Sequence, residues 1–385
     1  MDLHSAYPGI ADLKRLARRR LPRFVWEFVE SGTGAETLIR RNREALDRVT
    51  LTPSILHGEL EFDTSKKLLD HDCALPFGIA PIGMSGLVWP DAEGILARAA
   101  ATANIPYTLS TVASQMPEDL AGHIGENAWF QLYPPRDPDI RTDMLARARD
   151  AGFRTLVLTA DVPVASRRER QVRSGLTHPP RLTPRLLAQI SRCPAWAMGM
   201  LRKGPPRMRT LEKYSDSSLN LPPTAHIGYL LRTSPDMEYV SWLRDNWDGA
   251  FVVKGVLRPE DAVSLQKAGV DAIWVSNHGG RQFDGAPASI DALPAIRAAT
   301  DLPIIFDSGI EGGLDILRAL ALGADFVMLG RGFLFGLAAL GERGPAHVID
   351  ILRQDLKANM GQLGLASLQN VTSAITNIDA ASQHV

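Results

Sequence analysis

The sequence predicts a (β/α)8 barrel (the TIM-barrel class), preceded by an N-terminal helical segment and interrupted by a long excursion after the fourth strand. Three observations carry that prediction. Eight short apolar runs are bounded by turn-forming residues, and most gaps between them hold an amphipathic helical pattern. Seven of the eight runs finish in a hydrogen-bonding or charged group. Near-continuous apolar strands alternating with helices describe a parallel sheet covered on its outer face. A count of eight favours closure over an open sheet, and no Gly-x-Gly-x-x-Gly follows the first run, as an open dinucleotide-binding sheet would need.

The runs are PFGIAP (76–81), IPYTLS (105–110), AWFQLY (128–133), TLVLTAD (155–161), AFVVKG (250–255), AIWVSNH (272–278), PIIFDSG (303–309) and DFVMLGRG (325–332). PDAEGILARAAATAN (90–104) opens on proline and acids, as a helix start does. RPEDAVSLQKAG (258–269) and EGGLDILRALALG (311–323) close on glycine, the common residue after a helix. The strand ends deliver Ser110, Gln131, Tyr133, Thr159, Asp161, Lys254, Ser276, His278, Arg281, Asp307, Gly330 and Arg331. In a barrel these ends share one rim, where active sites are built. Any one of them alone reads as a polar residue that stops a strand. Seven strands ending alike point to a functional mouth.

Composition narrows the class. At 385 residues and 45% hydrophobic content the chain can bury a large core, read here as one barrel domain over 1–385. A formal net charge of −1 gives no global field for nucleic acid or lipid. Cys73 and Cys193 lie far apart with no Cys-x-x-Cys, so neither a disulfide framework nor a metal site is expected, which fits a reducing, cytoplasmic setting. No secretory signal is visible at the start, and the longest uncharged stretch, Ala358–Ile378, is too polar to span a bilayer.

With His278 and Arg281 placed, the chain resembles the FMN-dependent L-2-hydroxy acid oxidase and dehydrogenase family, which includes glycolate oxidase and the L-lactate and L-mandelate dehydrogenases. The resemblance runs from about Leu21 to Leu363 and rests on SNHGGRQ (276–282), FQLY (130–133), VKG (253–255) and LPRFVWEFVESG (21–32). It implies a barrel carrying FMN at its rim and oxidation of a 2-hydroxy acid to the 2-oxo acid, with electrons passing to flavin N5. His278 then matches the catalytic base and Asp161 the carboxylate that orients it. Arg281 matches the fork gripping the substrate carboxylate, Arg168 a second arginine near the same anion, and Tyr133 a hydrogen-bond donor to the substrate. Lys254 matches the cation beside flavin N1 and O2. Ser110, Gln131, Thr159 and Ser276 match polar contacts to the isoalloxazine, with Asp307 on the same cofactor wall. The backbone of Ala80, Pro81 and Ile82 matches the wall behind the ring, and Gly309, Gly330 and Arg331 match the phosphate end. The other eight histidines receive no role. The family also implies a homo-oligomer, commonly a tetramer, and an electron acceptor that is O2 or a quinone.

Three positions depart from the family pattern. Phe28 stands where a tyrosine usually helps bind the substrate carboxylate, a loss of roughly 1.5–3 kcal/mol for one hydrogen bond to a charged group. Glu311 stands where an arginine usually faces the FMN phosphate. Val112 stands where glycolate oxidase has tryptophan, leaving room for an aryl or branched substrate. The excursion takes up some 90 residues between Asp161 and Phe251, and within it 173–240 is expected to form an inserted lid or a membrane-contacting segment. Residues 173–213 hold nine Lys or Arg against one acid, Glu212, interleaved with Leu186, Leu187, Ile190, Trp196, Met198, Met200 and Leu201. Such a basic, apolar-studded stretch fits either a lid whose cations face water or a surface-lying membrane segment. Two further readings stay open: a biosynthetic flavin oxidase acting on a modified 2-hydroxy acyl or other alcohol, and a catalytically silent flavin-binding module.

Overall fold

The computed structural model describes residues 2–175, 183–214, 231 and 234–376. Its centre is a closed parallel barrel of β1 (Phe77–Ile79), β2 (Tyr107–Ser110), β3 (Ala128–Leu132), β4 (Thr155–Thr159), β5 (Ala250–Val256), β6 (Ala272–Val275), β7 (Ile304–Phe306) and β8 (Phe326–Leu329). Each strand pairs with its sequence neighbour, and β8 closes on β1 through Val327–Phe77, Met328–Gly78 and Leu329–Ile79. All eight predicted runs are barrel strands; seven are shorter than their apolar stretches because the polar ends have already turned into loops, while β5 runs one residue further, to Val256.

Helices wrap the barrel in chain order. An N-terminal set comprises α1 (Ile10–Arg20), α2 (Arg23–Glu30) and α3 (Thr37–Arg48). Then follow α4 (Ala92–Thr102) and α5 (Pro138–Asp150), and in the excursion α6 (Glu169–Ser174), α7 (Pro184–Ser191), α8 (Pro194–Lys203) and α9 (Arg209–Glu212). The wrapping resumes with α10 (Met237–Asp245), α11 (Pro259–Lys267), α12 (Ser289–Ala299), α13 (Gly313–Ala321), α14 (Arg331–Leu340) and α15 (Gly344–Gln362). Asp137 caps α5, accepting from Asp139 N–H at 2.8 Å ahead of Pro138, and Thr183 caps α7, accepting from Leu186 N–H at 3.2 Å.

Two apolar layers result. Alternate strand residues face outward onto the helices, where Phe77, Phe130, Leu156, Phe251, Ile273, Ile304 and Val327 are buried. The others face inward, and Trp129, Val157, Val252, Trp274, Ile305, Phe326 and Met328 fill the barrel. The Trp129 and Trp274 rings meet edge to face at 6.3 Å. A hairpin of Lys66–Leu68 and His71–Cys73 closes the lower end with Leu68 and Cys73. Cys73 and Cys193 are both free and buried.

The inward register positions the site. Two residues beyond each lower plug, at the strand period of two, the next inward side chains are Gln131 after Trp129, Thr159 after Val157 and Lys254 after Val252. Ser276 follows Trp274 and Asp307 follows Ile305 in the same way. The ladder sets Ser110 level with Gln131, and Thr159 level with Lys254. One layer below is hydrocarbon; the next is polar.

The described part of the excursion lies on the rim. Trp196 of α8 donates its indole N–H to Leu87 O at 2.9 Å and packs edge to face on Phe24. Lys203 pairs with Asp91 at 2.8 Å. Lys213 and Arg147 tie the end of the segment to α5 through Asp143 and Thr210 O. Arg181 and the rest of 176–182, 215–230 and 232–233 lie outside the described residues.

Candidate active site

The fourth and sixth strands end two and three residues short of the groups they present. Beyond Val275 the chain makes a tight turn in which His278, Gly279 and Gly280 all take left-handed conformations, with φ of 58°, 61° and 74°. Glycine adopts that region freely, whereas a histidine there is strained and needs support. The support is explicit. Asn277 exchanges hydrogen bonds with Asn42 of α3 at 2.6 and 3.0 Å, and its side chain accepts from Gly280 N–H at 3.3 Å. Ser308 Oγ accepts from Gly279 N–H at 3.1 Å, and Ser276 Oγ accepts from His278 N–H at 3.0 Å. Asn42, Asn277 and Ser308 were not read as site residues from sequence. Asn277 was legible in principle, standing between Ser276 and His278 in the motif.

The turn aims His278 Nδ1 at Asp161, 3.1 Å from Oδ1 and 3.2 Å from Oδ2. An ionised Asp161 is acceptor-only, so Nδ1 carries the proton and Nε2 is left as the acceptor. Burial lowers the His278 pKa below its ordinary value and outweighs the raising pull of Asp161; Lys254 lowers it further. Asp161 itself is held below the usual carboxylate range: burial pushes it up, but His278 and Lys254 together outweigh burial. At neutral pH the pair is therefore a neutral imidazole against a carboxylate, the resting state of a base.

Lys254 is 4% exposed and donates to Ser276 Oγ at 2.7 Å; its ammonium lies 3.2 Å from Asp307. Asp307 also accepts from the Trp274 indole at 3.1 Å and from Ser308 Oγ at 2.8 Å. A buried cation is thus fixed in position by a carboxylate that the barrel plug itself holds.

Arg281 is partly buried, and its Nη1 donates to the backbone carbonyls of Phe28 and Ser31, each at 2.9 Å. Its guanidinium carbon lies 5.6 Å from the Phe28 ring centroid. Burial, Arg168 and Arg331 all lower its proton affinity, which marks a convergence of three guanidiniums on one region. Arg168, at a left-handed φ of 41°, donates to Ser166 Oγ at 3.0 Å. Arg331 opens α14 and turns back toward the catalytic loop, donating to Gly279 O at 2.9 Å and to Val29 O and Ser31 O at 3.3 Å. Its guanidinium is thereby committed to the backbone around His278. Tyr133 is partly buried, its hydroxyl pushed up to about 12 by desolvation first and Asp161 second, so it stays a neutral donor.

His278, Lys254, Asp307, Arg281, Arg168, Arg331 and Tyr133 line one cavity of about 610 Å3 that also takes in Ala80, Pro81, Ile82, Val112, Thr159, Gly309, Glu311 and Gly330. Met208 and Leu231 of the excursion complete its roof. Ser110, Gln131 and Ser276 sit buried in the polar layer beneath, where Ser110 Oγ donates to Gln131 Oε1 at 2.8 Å. The Gln131 Nε2 donor is buried without a hydrogen-bond partner among the described residues. Such a group is costly unless something bound supplies an acceptor. An orphaned amide donor in the polar layer, with a fixed ammonium on the cavity wall, fits a flat heterocycle rich in carbonyl oxygens. The cavity suits a flavin, whose ring Thr159 and Lys254 could hold from the lining and Ser110, Gln131 and Ser276 from the layer beneath.

Fold and site together define a flavin-dependent barrel oxidoreductase. Residues 17–378 match the FMN-dependent dehydrogenase family, and the chain belongs to it. It is 39% identical over 369 residues to an L-lactate dehydrogenase of Pseudomonas aeruginosa, covering 94% of this chain and 96% of that one. Among solved structures it is similar to the monotopic membrane protein (S)-mandelate dehydrogenase, with a TM-score of 0.90 and 33% identity over 96% of this chain and 99% of that one. A mandelate oxidase matches at a TM-score of 0.81 and 34% identity, covering 95% and 97%. The fold, the enzyme class and the cofactor expected from the sequence all stand.

Proposed function

We propose that the chain oxidises an L-2-hydroxy acid with an apolar side chain to the corresponding 2-oxo acid, and that His278, Asp161, Tyr133, Lys254, Arg281 and Arg168 carry the reaction. The observation that bears most weight is the His278–Asp161 pair, its free Nε2 sharing a cavity with the Arg281 and Arg168 guanidiniums. Relatives that act on lactate and on mandelate bracket the substrate class.

FMN supplies the two-electron acceptor when bound. The chain's residues do the rest. Arg281 and Arg168 present a cationic, partly desolvated seat for the substrate carboxylate, and Tyr133 offers a neutral hydroxyl beside it. Asp161 fixes the imidazole tautomer so that Nε2 takes a proton from the carbinol group, then stabilises the imidazolium electrostatically. Lys254 holds positive charge on the cofactor wall, where negative charge develops. Val112, Val162, Met208 and Leu231 give the substrate side an apolar lining, favouring a larger side chain than that of glycolate.

The physiological acceptor on this reading is a membrane quinone rather than O2, and the protein sits peripherally on the cytoplasmic face. On the excursion, Leu187, Met198 and Leu201 are 53%, 50% and 85% exposed, and Arg192, Arg202, Lys203 and Arg207 are exposed among them. That pattern suits anionic lipid. No helix among the described residues is long and apolar enough to cross a membrane. Anaerobic bleaching of the flavin by a panel of L-2-hydroxy acids tests the reaction. His278→Asn is expected to stay yellow and fail to bleach; bleaching at the parental rate would exclude His278 as the base.

A further inference from the structure

The phosphate end of the cofactor cavity poses a charge problem. Its wall is built from Gly309, Ile310 and Glu311 after β7, Gly330 and Arg331 after β8, and one face of α3. Glu311 is exposed there, and its backbone N–H is used on Asp315 at 3.0 Å. Glu30 lines the same cavity. Two carboxylates thus border the place where a phosphate dianion would lie.

Four cations of the N-terminal helices and the β8 loop line the cavity: Lys14, Arg40, Arg43 and Arg331. Three are already committed. Arg43 forks onto Asp315 with two bonds of 2.6 Å, reaches Asp47 at 2.7 Å and donates to Gly309 O at 3.1 Å. Lys14 pairs with Glu30 at 3.6 Å. Arg331 spends its guanidinium on Val29, Ser31 and Gly279 carbonyls. Arg40 is exposed, lines the cavity and forms no ion pair among the described residues.

Helix geometry puts Arg40 on the relevant face. It precedes Arg43 by three residues, so the two side chains are neighbours along α3. Arg43 fastens that face to the Gly309 loop, and Gly309 packs closely enough on α3 that an added Cβ would lie 2.9 Å from Leu46 and 3.3 Å from Asn42.

We propose that Arg40, from α3, is the side chain that neutralises the FMN phosphate in this protein, offsetting the carboxylate that Glu311 places at the same end of the cavity. This assigns the cofactor's phosphate selectivity to the N-terminal helical segment. A guanidinium–phosphate bond is charge-assisted and specific to the phosphate, so it contributes nothing to riboflavin.

The test is flavin titration of the full chain after its flavin has been stripped, read by quenching of flavin fluorescence, with FMN and riboflavin as separate ligands. Arg40→Gln is expected to weaken FMN by about tenfold or more while leaving riboflavin within about twofold. Glu311→Arg, added to Arg40→Gln, is expected to restore FMN binding. An Arg40→Gln variant that binds FMN as the parent does, or loses FMN and riboflavin equally, overturns the proposal. So does a double variant no tighter for FMN than Arg40→Gln alone. A parent chain that takes up neither flavin would instead overturn the cofactor assignment.

Discussion

On the proposed mechanism, Asp161→Asn isolates the electrostatic interaction that stabilises the protonated base. The carboxylate oxygens lie 3.1 and 3.2 Å from His278 Nδ1, and both groups are partly buried. When His278 takes the substrate proton, the imidazolium gains an attraction that the neutral ring lacked. With the charges centred about 4 Å apart and an effective dielectric of about 20, that gain is about 4 kcal/mol. Asparagine can still accept from Nδ1, which retains about 1 kcal/mol. The net loss of about 3 kcal/mol corresponds to a rate reduction of roughly a hundredfold. The pH profile supplies a second readout. His278 must be neutral to act, so activity rises with pH through its folded pKa, which lies below the ordinary value. Removing Asp161 deletes the influence that raises this pKa, so the acid limb moves to still lower pH. Anaerobic stopped-flow bleaching across pH 5–8 measures both. Bleaching within about threefold of the parent, or an acid limb moving upward, would refute the assignment of Asp161 as the partner that stabilises the imidazolium.

Phe28→Tyr is expected to lower KM for a carboxylate substrate by about tenfold, since it adds one hydrogen bond to a charged group beside Arg281; an equal gain for the substrate's amide would count against a carboxylate contact. Glu93 is buried at the start of α4 and accepts from Ser114 N–H at 2.7 Å, and burial raises its pKa. The fold therefore favours the protonated acid, and its contribution is lost as pH rises from the ordinary carboxylate value through the raised folded one. Glu93→Gln stays neutral, so its Tm should overtake the parent's progressively from pH 4.5 to 7, and parallel Tm curves would dispose of this account. Met198→Glu with Leu201→Glu should abolish sedimentation with anionic vesicles, because each lost apolar anchor removes about 1.5–3 kcal/mol. Turnover with a soluble dye acceptor should stay at the parental rate. Undiminished vesicle binding would move the contact elsewhere.

Much of the barrel was legible because two signals of different kind coincided. Apolar runs such as TLVLT and AIWV mark strands buried on both faces, and the period of two carries each strand from a hydrocarbon plug to a polar rim. Trp129 leads to Gln131 and Trp274 to Ser276 by that rule alone. What the spacing could not convey was conformation beyond the strand ends. His278 was read as the end of a strand, yet it lies three residues past Val275 at positive φ. The Asn42–Asn277 pair that holds it joins residues 235 positions apart, a separation that no local pattern encodes. The base's proton affinity was likewise hidden, since it is a contest between burial and pairing. Only three-dimensional packing sets the burial.

Arg281 shows why the barrel alone does not make this site. Its Nη1 is anchored by carbonyls of Phe28, Val29 and Ser31, at the C-terminal end of α2. Carbonyls left unpaired at a helix terminus carry partial negative charge, so they both orient a buried guanidinium and help to offset its desolvation. The same helix end is secured from the other side by Arg170 of α6, which reaches Glu27 at 2.6 Å and Glu36 at 2.8 Å. Gln171 adds a bond to Ser31 Oγ at 3.2 Å. The excursion thus fixes α2, and α2 fixes Arg281, the proposed seat for the substrate carboxylate. A chain cut before α3 would retain all eight strands and the histidine but lose the carbonyls that anchor Arg281, so on the proposed mechanism the N-terminal helices belong to the active site as fully as the rim does.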